Sequence, residues 1–215
     1  MTRSASFAGV ILAAGESSRM GSDKALLPWP AAGEARGETF LSAAIRSLEL
    51  YTDFVIVVAG QNESAIAPIV YAQGASLVVN PDPSRGQFSS LRVGLQEVLN
   101  RGRDAAIVTL VDRPPAAGST LQALRNAFST AAAEVWAVVP EFQGRHGHPY
   151  VAGREMIEAF LHAPAASNPR EVEHQQQRHI QYVQVDDANV GMNINTASDY
   201  AALGNQPRDT KVNTF

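Results

Sequence analysis

The sequence contains no cysteine, which excludes disulfide bonds, cysteine-ligated zinc and thiol catalysis. It also lacks an apolar run of the roughly 20 residues that a membrane-spanning helix requires, so we expect no membrane association. The N-terminus has no basic segment followed by a signal-type apolar stretch. These absences lead us to expect a cytoplasmic protein.

Positive charge is scarce, since 17 basic residues stand against 21 acidic ones and the formal net charge is -4. This balance argues against a nucleic-acid partner, because such binding depends on clustered cations. Lysine is rarer still, occurring only as Lys24 and Lys211. Lys24 follows a glycine-containing segment and is a candidate for a specific role, whereas Lys211 lies in a polar terminal segment.

The length of 215 residues suits one domain and is too short for two large ones. We predict a single domain over residues 1–204 and a disordered tail over 205–215. Apolar runs typical of buried strands alternate with segments of helical periodicity; the runs are 7–13, 54–59, 76–79, 105–111, 135–139 and 180–185. This order predicts an α/β fold in which helices cover both faces of a mostly parallel sheet. Pro68 is expected to interrupt any helix over residues 62–72.

The segment LAAGESSRMGSDK, residues 12–24, follows the first predicted strand, and ligands of open α/β sheets bind beyond the carboxyl ends of the strands. Its small residues let backbone N–H groups approach a polyphosphate, and Arg19 and Lys24 add positive charge. It is not a Walker loop, because five residues separate Gly15 from Gly21 and Ser22 follows Gly21. A connecting loop without function is the alternative that composition alone leaves open.

Asp112 follows the predicted strand 105–111, where a carboxylate faces the ligand crevice. A carboxylate in this position is a candidate for contacting a ligand in the crevice. The alternative is that Asp112 only starts a turn before Pro114 and Pro115. Thr196 and Asp199 form a capping-box pattern and are predicted to begin the last helix.

The string at residues 12–24 resembles the signature of MobA-like nucleotidyltransferases, in the form found in molybdenum cofactor cytidylyltransferases. Four further segments follow in the order of that family: GQFSSLRVGL at 86–95, VDRPP at 111–115, GRHGHPYV at 144–151 and NINTASDY at 193–200. The resemblance implies a Rossmann-like nucleotide-diphospho-sugar transferase fold, a bound nucleoside triphosphate and magnesium.

The resemblance also assigns roles to individual residues. It implies catalytic roles for Arg19, Lys24 and Asp112, and magnesium binding by Asp112 and Asn193. It implies nucleotide binding by Leu12, Ala13, Ala14, Gly15, Arg19, Lys24, Ser89 and Ser90. It places His148 on the acceptor side. Ser89 and Ser90 are equally suited to helix capping, and an H-x-H pair alone is a weak zinc signal.

The implied reaction is CMP transfer from CTP to the phosphate of molybdopterin, with release of pyrophosphate. Relatives that transfer CMP usually carry aspartates where Asn193 and Asn195 stand, and the guanylyl relatives carry asparagines, so GMP transfer is an alternative. Cytidylyl or uridylyl transfer to another small phosphate is a second alternative. A non-catalytic nucleotide-binding accessory protein is a third, because Arg113 also replaces the glutamine usual before the proline. A molybdoenzyme or its maturation chaperone is a further candidate partner.

Overall fold

A computed structural model describes residues 5–15, 22–30 and 37–204 of the chain. The predicted catalytic Arg19 and the predicted tail over 205–215 lie outside these residues. The eight described strands are β1 Phe7–Leu12, β2 Phe54–Ala59, β3 Ser76–Val79, β4 Ala105–Leu110, β5 Ala137–Phe142, β6 Arg145–His146, β7 Tyr150–Gly153 and β8 Ile180–Gln184. The seven described α-helices are α1 Phe40–Glu49, α2 Glu63–Ala72, α3 Gln87–Asn100, α4 Gly118–Thr130, α5 Arg154–His162, α6 Pro169–Gln175 and α7 Ala197–Gly204. No described helix is both long and apolar enough to cross a bilayer.

One sheet contains all the described strands. Strands β3, β2, β1 and β4 lie side by side and run parallel. β7 then pairs antiparallel with β4 and with β5, while β8 pairs parallel with β5. β6 forms a short antiparallel pair with β5. The prediction of a mostly parallel sheet is therefore confirmed, with β6 and β7 running against the other strands.

Helices cover both faces of the sheet, which explains the continuous apolar runs of the central strands. One core cluster packs apolar residues of α1, α2 and α4 against alternate residues of β1, including Phe7 and Ile11. The other packs residues of α3, α5 and α6 against Ala8, Val10 and Leu12. Because successive side chains of a strand point to opposite faces, β1 is buried over its whole length.

Two helix predictions can be compared with the structure. The expectation that Pro68 interrupts the segment 62–72 is wrong, since α2 continues through it. Proline has no N–H group for the carbonyl four residues earlier, but that carbonyl belongs to exposed Ser64, where water can replace the lost bond. The cap of the last helix is confirmed: Thr196 N–H donates to Asp199 Oδ2 at 2.8 Å, and Asp199 N–H donates to Thr196 Oγ at 3.2 Å.

Candidate active site

The chain reverses its winding direction between β1 and β4. β1 leads outward to β2 and β3, and the chain then returns to place β4 on the other side of β1. The segments that follow β1 and β4 therefore diverge and leave a crevice at the carboxyl ends of the two strands. Residues 12–15 and Asp112 lie at this crevice, as the sequence predicts.

A cavity of about 550 Å³ occupies the crevice, and we call it the loop cavity. Its lining combines residues after β1, residues after β4 and the first turn of α3: Leu12, Ala14, Gly15, Lys24, Pro83, Ser84, Gly86, Gln87, Ser90, Leu110, Val111 and Asp112. Gly86 has φ +87° and ψ 177°, a conformation that only glycine adopts without strain. This conformation starts α3 beside the cavity, and the positive end of a helix dipole favours an anionic ligand.

Lys24 and Asp112 form an ion pair across the loop cavity. The distance from Lys24 Nζ to Asp112 Oδ2 is 3.3 Å, and the two side chains are 14% and 26% exposed. Lys24 begins a short 3-10 turn, Lys24–Leu26, which Asp23 caps by accepting a hydrogen bond from Ala25 N–H at 2.9 Å. The sequence therefore brings a cation and a carboxylate together from positions 88 residues apart.

The second carboxylate oxygen of Asp112 has no hydrogen-bond partner among the described residues. This atom, Oδ1, is also shielded from solvent. Leaving a buried acceptor unpaired costs roughly 1–3 kcal/mol, so such an atom calls for a functional explanation. Asn193 lies beside Asp112 along the chain path, because Ile194 N–H donates to the Asp112 carbonyl at 2.9 Å. The Asn193 side chain itself is exposed and does not line the loop cavity.

Ser89 and Ser90 have different environments although they are adjacent. Ser90 is buried and lines the loop cavity. Ser89 lines a neighbouring depression and donates to the Gly86 carbonyl at 2.7 Å, a helix-start contact. Asn80, which follows β3, donates to both hydroxyls at 2.8 and 2.9 Å. Asn80 therefore fixes the orientation of both serines.

A second cavity of about 480 Å³ adjoins the first, and we call it the α6 cavity. Leu12, Gln87 and Leu110 line both cavities. The remaining lining residues come from α3, β4, β7 and α6 with their flanking segments: Leu91, Val108, Arg113, His148, Tyr150, Asn168, Pro169, Arg170 and Glu173. Asp112 and Arg113 are consecutive in sequence and line different cavities, so the loop after β4 forms part of both.

Two polar atoms of the α6 cavity lack a described partner, although Arg113 Nη1 donates to the Val190 and Met192 carbonyls at 3.0 and 3.3 Å. His148 Nδ1 and Arg113 Nε are shielded from solvent, and no described residue hydrogen-bonds to either atom. Burial, together with the Arg113 charge, lowers the pKa of His148 to about 3, so the imidazole is neutral near pH 7. Burial raises the pKa of Glu173, against the opposing effect of Arg170. Buried polar groups normally have partners, so these side chains suit a polar ligand.

Three of the predicted residues that the structure describes, Ala13, Ser89 and Asn193, line neither the loop cavity nor the α6 cavity. The Ala13 side chain is buried and its backbone N–H donates to the Val58 carbonyl at 2.9 Å. His146 is exposed on β6 and lies 3.0 Å from Glu141, whereas His148 lines the α6 cavity. The sequence did not predict a site role for five polar residues that line the cavities: Gln87, Arg113, Asn168, Arg170 and Glu173. Gln87 and Arg113 could have been predicted, because they lie within the segments 86–95 and 111–115 that carry the family resemblance.

Fold and cavities together define an α/β protein that presents a lysine, a carboxylate and glycine-containing backbone at the carboxyl ends of its central strands. The family model of the MobA-like NTP transferase domain matches residues 9–180. The chain therefore belongs to the MobA-like NTP transferase family and is a nucleotidyltransferase.

Two relatives differ in the nucleotide that their names state. The probable molybdenum cofactor guanylyltransferase of Rhodopirellula baltica is 33% identical over 120 residues, which cover 56% of this chain and 54% of that protein. The chain thus matches about half the length of this relative. The molybdenum cofactor cytidylyltransferase of Escherichia coli K12 is 24% identical over 193 residues, which cover 89% of this chain and 92% of that protein.

The crystal structure of Rv0371c from Mycobacterium tuberculosis H37Rv is similar to this fold, with a TM-score of 0.78 and 26% identity. The similarity covers 94% of this chain and 100% of that chain. A structure of the same mycobacterial protein in complex with manganese has a TM-score of 0.72 and 25% identity, covering 92% and 97% of the two chains.

Proposed function

We propose that this nucleotidyltransferase transfers CMP from CTP to the phosphate of molybdopterin and releases pyrophosphate. The observation that carries the proposal is the pair of adjoining cavities. The loop cavity supplies Lys24 and Asp112 for a triphosphate, and the α6 cavity supplies polar side chains for an acceptor. Their shared wall of Leu12, Gln87 and Leu110 lets two substrates meet.

The chemistry requires positioning and charge neutralisation more than proton transfer. An oxygen of the acceptor phosphate attacks the α-phosphorus of the nucleotide and forms the new P–O bond. The bond from the α-phosphorus to the bridging oxygen breaks, and pyrophosphate leaves with that electron pair. An ionised phosphate needs no general base.

Lys24 neutralises the charge that grows on the phosphoryl oxygens in the transition state. Asp112 and Asn193 would hold magnesium, which when bound neutralises phosphate oxygens. The shielded Oδ1 of Asp112 supports this assignment. The manganese complex of the mycobacterial neighbour supports a divalent cation in proteins of this fold.

Molybdopterin as the acceptor is supported by the names of both relatives and by the groups of the α6 cavity. A pterin ring carries adjacent N–H donors, and the Glu173 carboxyl group is an acceptor for such donors. Neutral His148 adds a hydrogen-bonding group without a charge, and Arg113 directly follows Asp112 in the loop after β4.

CTP as the donor is supported by the LAAG segment at residues 12–15, the SSL segment at 89–91 and the GHP segment at 147–149, which resemble cytidylyltransferases. GMP transfer is the second candidate. Asn193 and Asn195 favour it, as does the guanylyltransferase relative at 33% identity.

The test measures pyrophosphate release by the purified protein with molybdopterin, magnesium and each of CTP, GTP, ATP and UTP. We expect release with CTP to exceed release with GTP, and no release when molybdopterin or magnesium is omitted. Faster release with GTP would favour the second candidate. Nucleotide binding without release under any of these conditions would make the protein an accessory nucleotide binder and overturn the proposal.

A further inference from the structure

The side chain of Asn62 joins three backbone segments near the loop cavity. Its Nδ2 group donates to the Ala13 carbonyl at 2.9 Å and to Asp23 Oδ2 at 2.7 Å. Its Oδ1 atom accepts a hydrogen bond from Gly60 N–H at 3.1 Å. Both amide protons and the amide oxygen are therefore in use, and they connect the end of β1, the start of the Lys24 turn and the end of β2.

These contacts reach the ion pair of the site through Asp23. Asp23 Oδ2 accepts from Asn62, while its Oδ1 accepts from Ala25 N–H at 2.9 Å and so caps the turn that begins at Lys24. Lys24 Nζ in turn lies 3.3 Å from Asp112 Oδ2. A continuous series of polar contacts thus runs from Asn62 through Asp23 and the Lys24 turn to Asp112.

Close packing at the end of β2 limits other arrangements of this region. A Cβ atom added to Gly60 would lie 2.8 Å from the Ala14 carbonyl oxygen, nearer than side-chain carbons normally approach a backbone oxygen. The backbone of Ala14, after β1, therefore packs directly against the backbone of Gly60, after β2. Asn62 supplies the hydrogen bonds at this contact.

We propose that Asn62 is a positioning residue of the nucleotidyltransferase, which fixes Lys24 by holding Ala13 and Asp23, the two flanks of the glycine-containing segment, against β2. The inference rests on the proposed role of Lys24 at the triphosphate. Asn62 is absent from the described lining of both cavities, so its effect passes through Asp23. An amide is required, since a carboxylate at position 62 would face the Ala13 carbonyl and the Asp23 carboxylate, and an alkyl group would leave both without a donor.

The experiment compares full-length Asn62→Ala and Asn62→Ser with the native protein in steady-state pyrophosphate release. We expect kcat/KM for the nucleotide to fall about 10- to 100-fold, the range seen when a residue that orients a site ligand is lost. KM for the acceptor stays within about twofold, because the α6 cavity is unchanged. Asn62 makes no side-chain cap bond to α2, so both variants are expected to fold.

Thr120→Val is the stability control. It removes a buried hydrogen bond of 2.9 Å from Thr120 Oγ to Asp187 Oδ2, away from the lining of both cavities. A purely structural role for Asn62 predicts that Asn62→Ala and Thr120→Val lower the melting temperature without changing kcat/KM. That result would overturn the inference.

A paired exchange tests the contact with Asp23 directly. Asn62→Asp places two carboxylates together and should lower kcat/KM further than Asn62→Ala. Adding Asp23→Asn restores a donor and an acceptor between the two side chains, and we expect about tenfold recovery relative to Asn62→Asp. A double variant whose kcat/KM is no higher than that of Asn62→Asp would refute positioning through Asp23.

The failure of this inference can be told apart from the failure of the proposed function. If the native protein releases no pyrophosphate with any nucleotide, the proposed function fails. If the native protein does release pyrophosphate and Asn62→Ala has the same kcat/KM, only this inference fails.

Discussion

The two cavities differ in how their polar groups are paired. In the loop cavity, Lys24 contacts one carboxylate oxygen of Asp112 at 3.3 Å, and the other oxygen, Oδ1, has no described partner. In the α6 cavity, His148 Nδ1 and Arg113 Nε have no described partner, and the half-buried Glu173 lies among them. The charged side chains of the loop cavity are thus held together by a contact within the chain, whereas the α6 cavity is lined by shielded polar atoms, His148 Nδ1 and Arg113 Nε, that a polar ligand would pair.

This difference separates catalysis from acceptor recognition. Preorganised charges act on the transition state and are expected to change turnover when removed. Groups that await a ligand contribute to binding, and their loss is expected to raise KM for that ligand. Variants in the two cavities should therefore have different kinetic signatures.

The largest effect is expected from Asp112→Asn, which keeps the turn residue's size but removes its charge. Turnover should fall on the order of a thousandfold, because the carboxylate that would hold the metal is lost. The measurement is pyrophosphate release over a magnesium titration, together with a thermal melt. A variant that unfolds, or that keeps normal magnesium dependence, would favour the simple turn-forming role of Asp112.

Lys24→Ala tests the other half of the ion pair. Turnover should fall about a hundredfold, since one preorganised electrostatic partner of the triphosphate is removed. Lys211→Ala is the matched control because Lys211 is the other lysine of the chain. Equal turnover in the two variants would show that Lys24 has no catalytic role and that the triphosphate is neutralised by other groups.

The loop cavity could be predicted from the sequence because its parts follow buried parallel strands. Continuous apolar runs predicted β1 and β4. The rule that ligands bind at the carboxyl ends of such strands then identified the segment 12–24 and Asp112. The same rule applied to β2 and β3 would have indicated Asn62 and Asn80, polar residues that closely follow those strands.

The α6 cavity was less accessible to prediction. β7 has only four residues, and its antiparallel direction depends on pairing with β4 and β5, which no local pattern encodes. Glu173 lies on a seven-residue helix, and its place in the cavity depends on how α6 packs near α5. The periodicity of a sequence predicts which face of one helix or strand is buried. It does not predict which other element packs against that face.

Glu173→Gln sharpens the comparison from the acceptor side. The amide keeps the shape but replaces an acceptor oxygen with a donor, so KM for molybdopterin should rise about tenfold, the loss of one ligand hydrogen bond. KM for the nucleotide should stay unchanged. Glu158→Gln, on the exposed side of α5, provides the control. If the KM for the nucleotide rises and the KM for molybdopterin does not, Glu173 contacts the nucleotide and not the acceptor.

The smallest effect concerns the stability contributed by His148, whose folded pKa of about 3 lies below its ordinary value of 6.5. Between these two values the unfolded chain binds a proton that the folded protein excludes, so stability is complete above pH 6.5 and declines as the pH falls. The decline is up to about 1.4 kcal/mol per pH unit for one proton. Urea unfolding at pH 7.5 and 5.5 should therefore show a larger loss in the free energy of unfolding for the native protein than for His148→Gln, by about 1.4 kcal/mol.

His174→Gln is the control, because it alters an exposed histidine of α6, and it should behave like the native protein. Equal losses in the native protein and His148→Gln would show that the imidazole is not excluded from protonation, and the α6 cavity would then present a cation rather than a neutral group to its ligand.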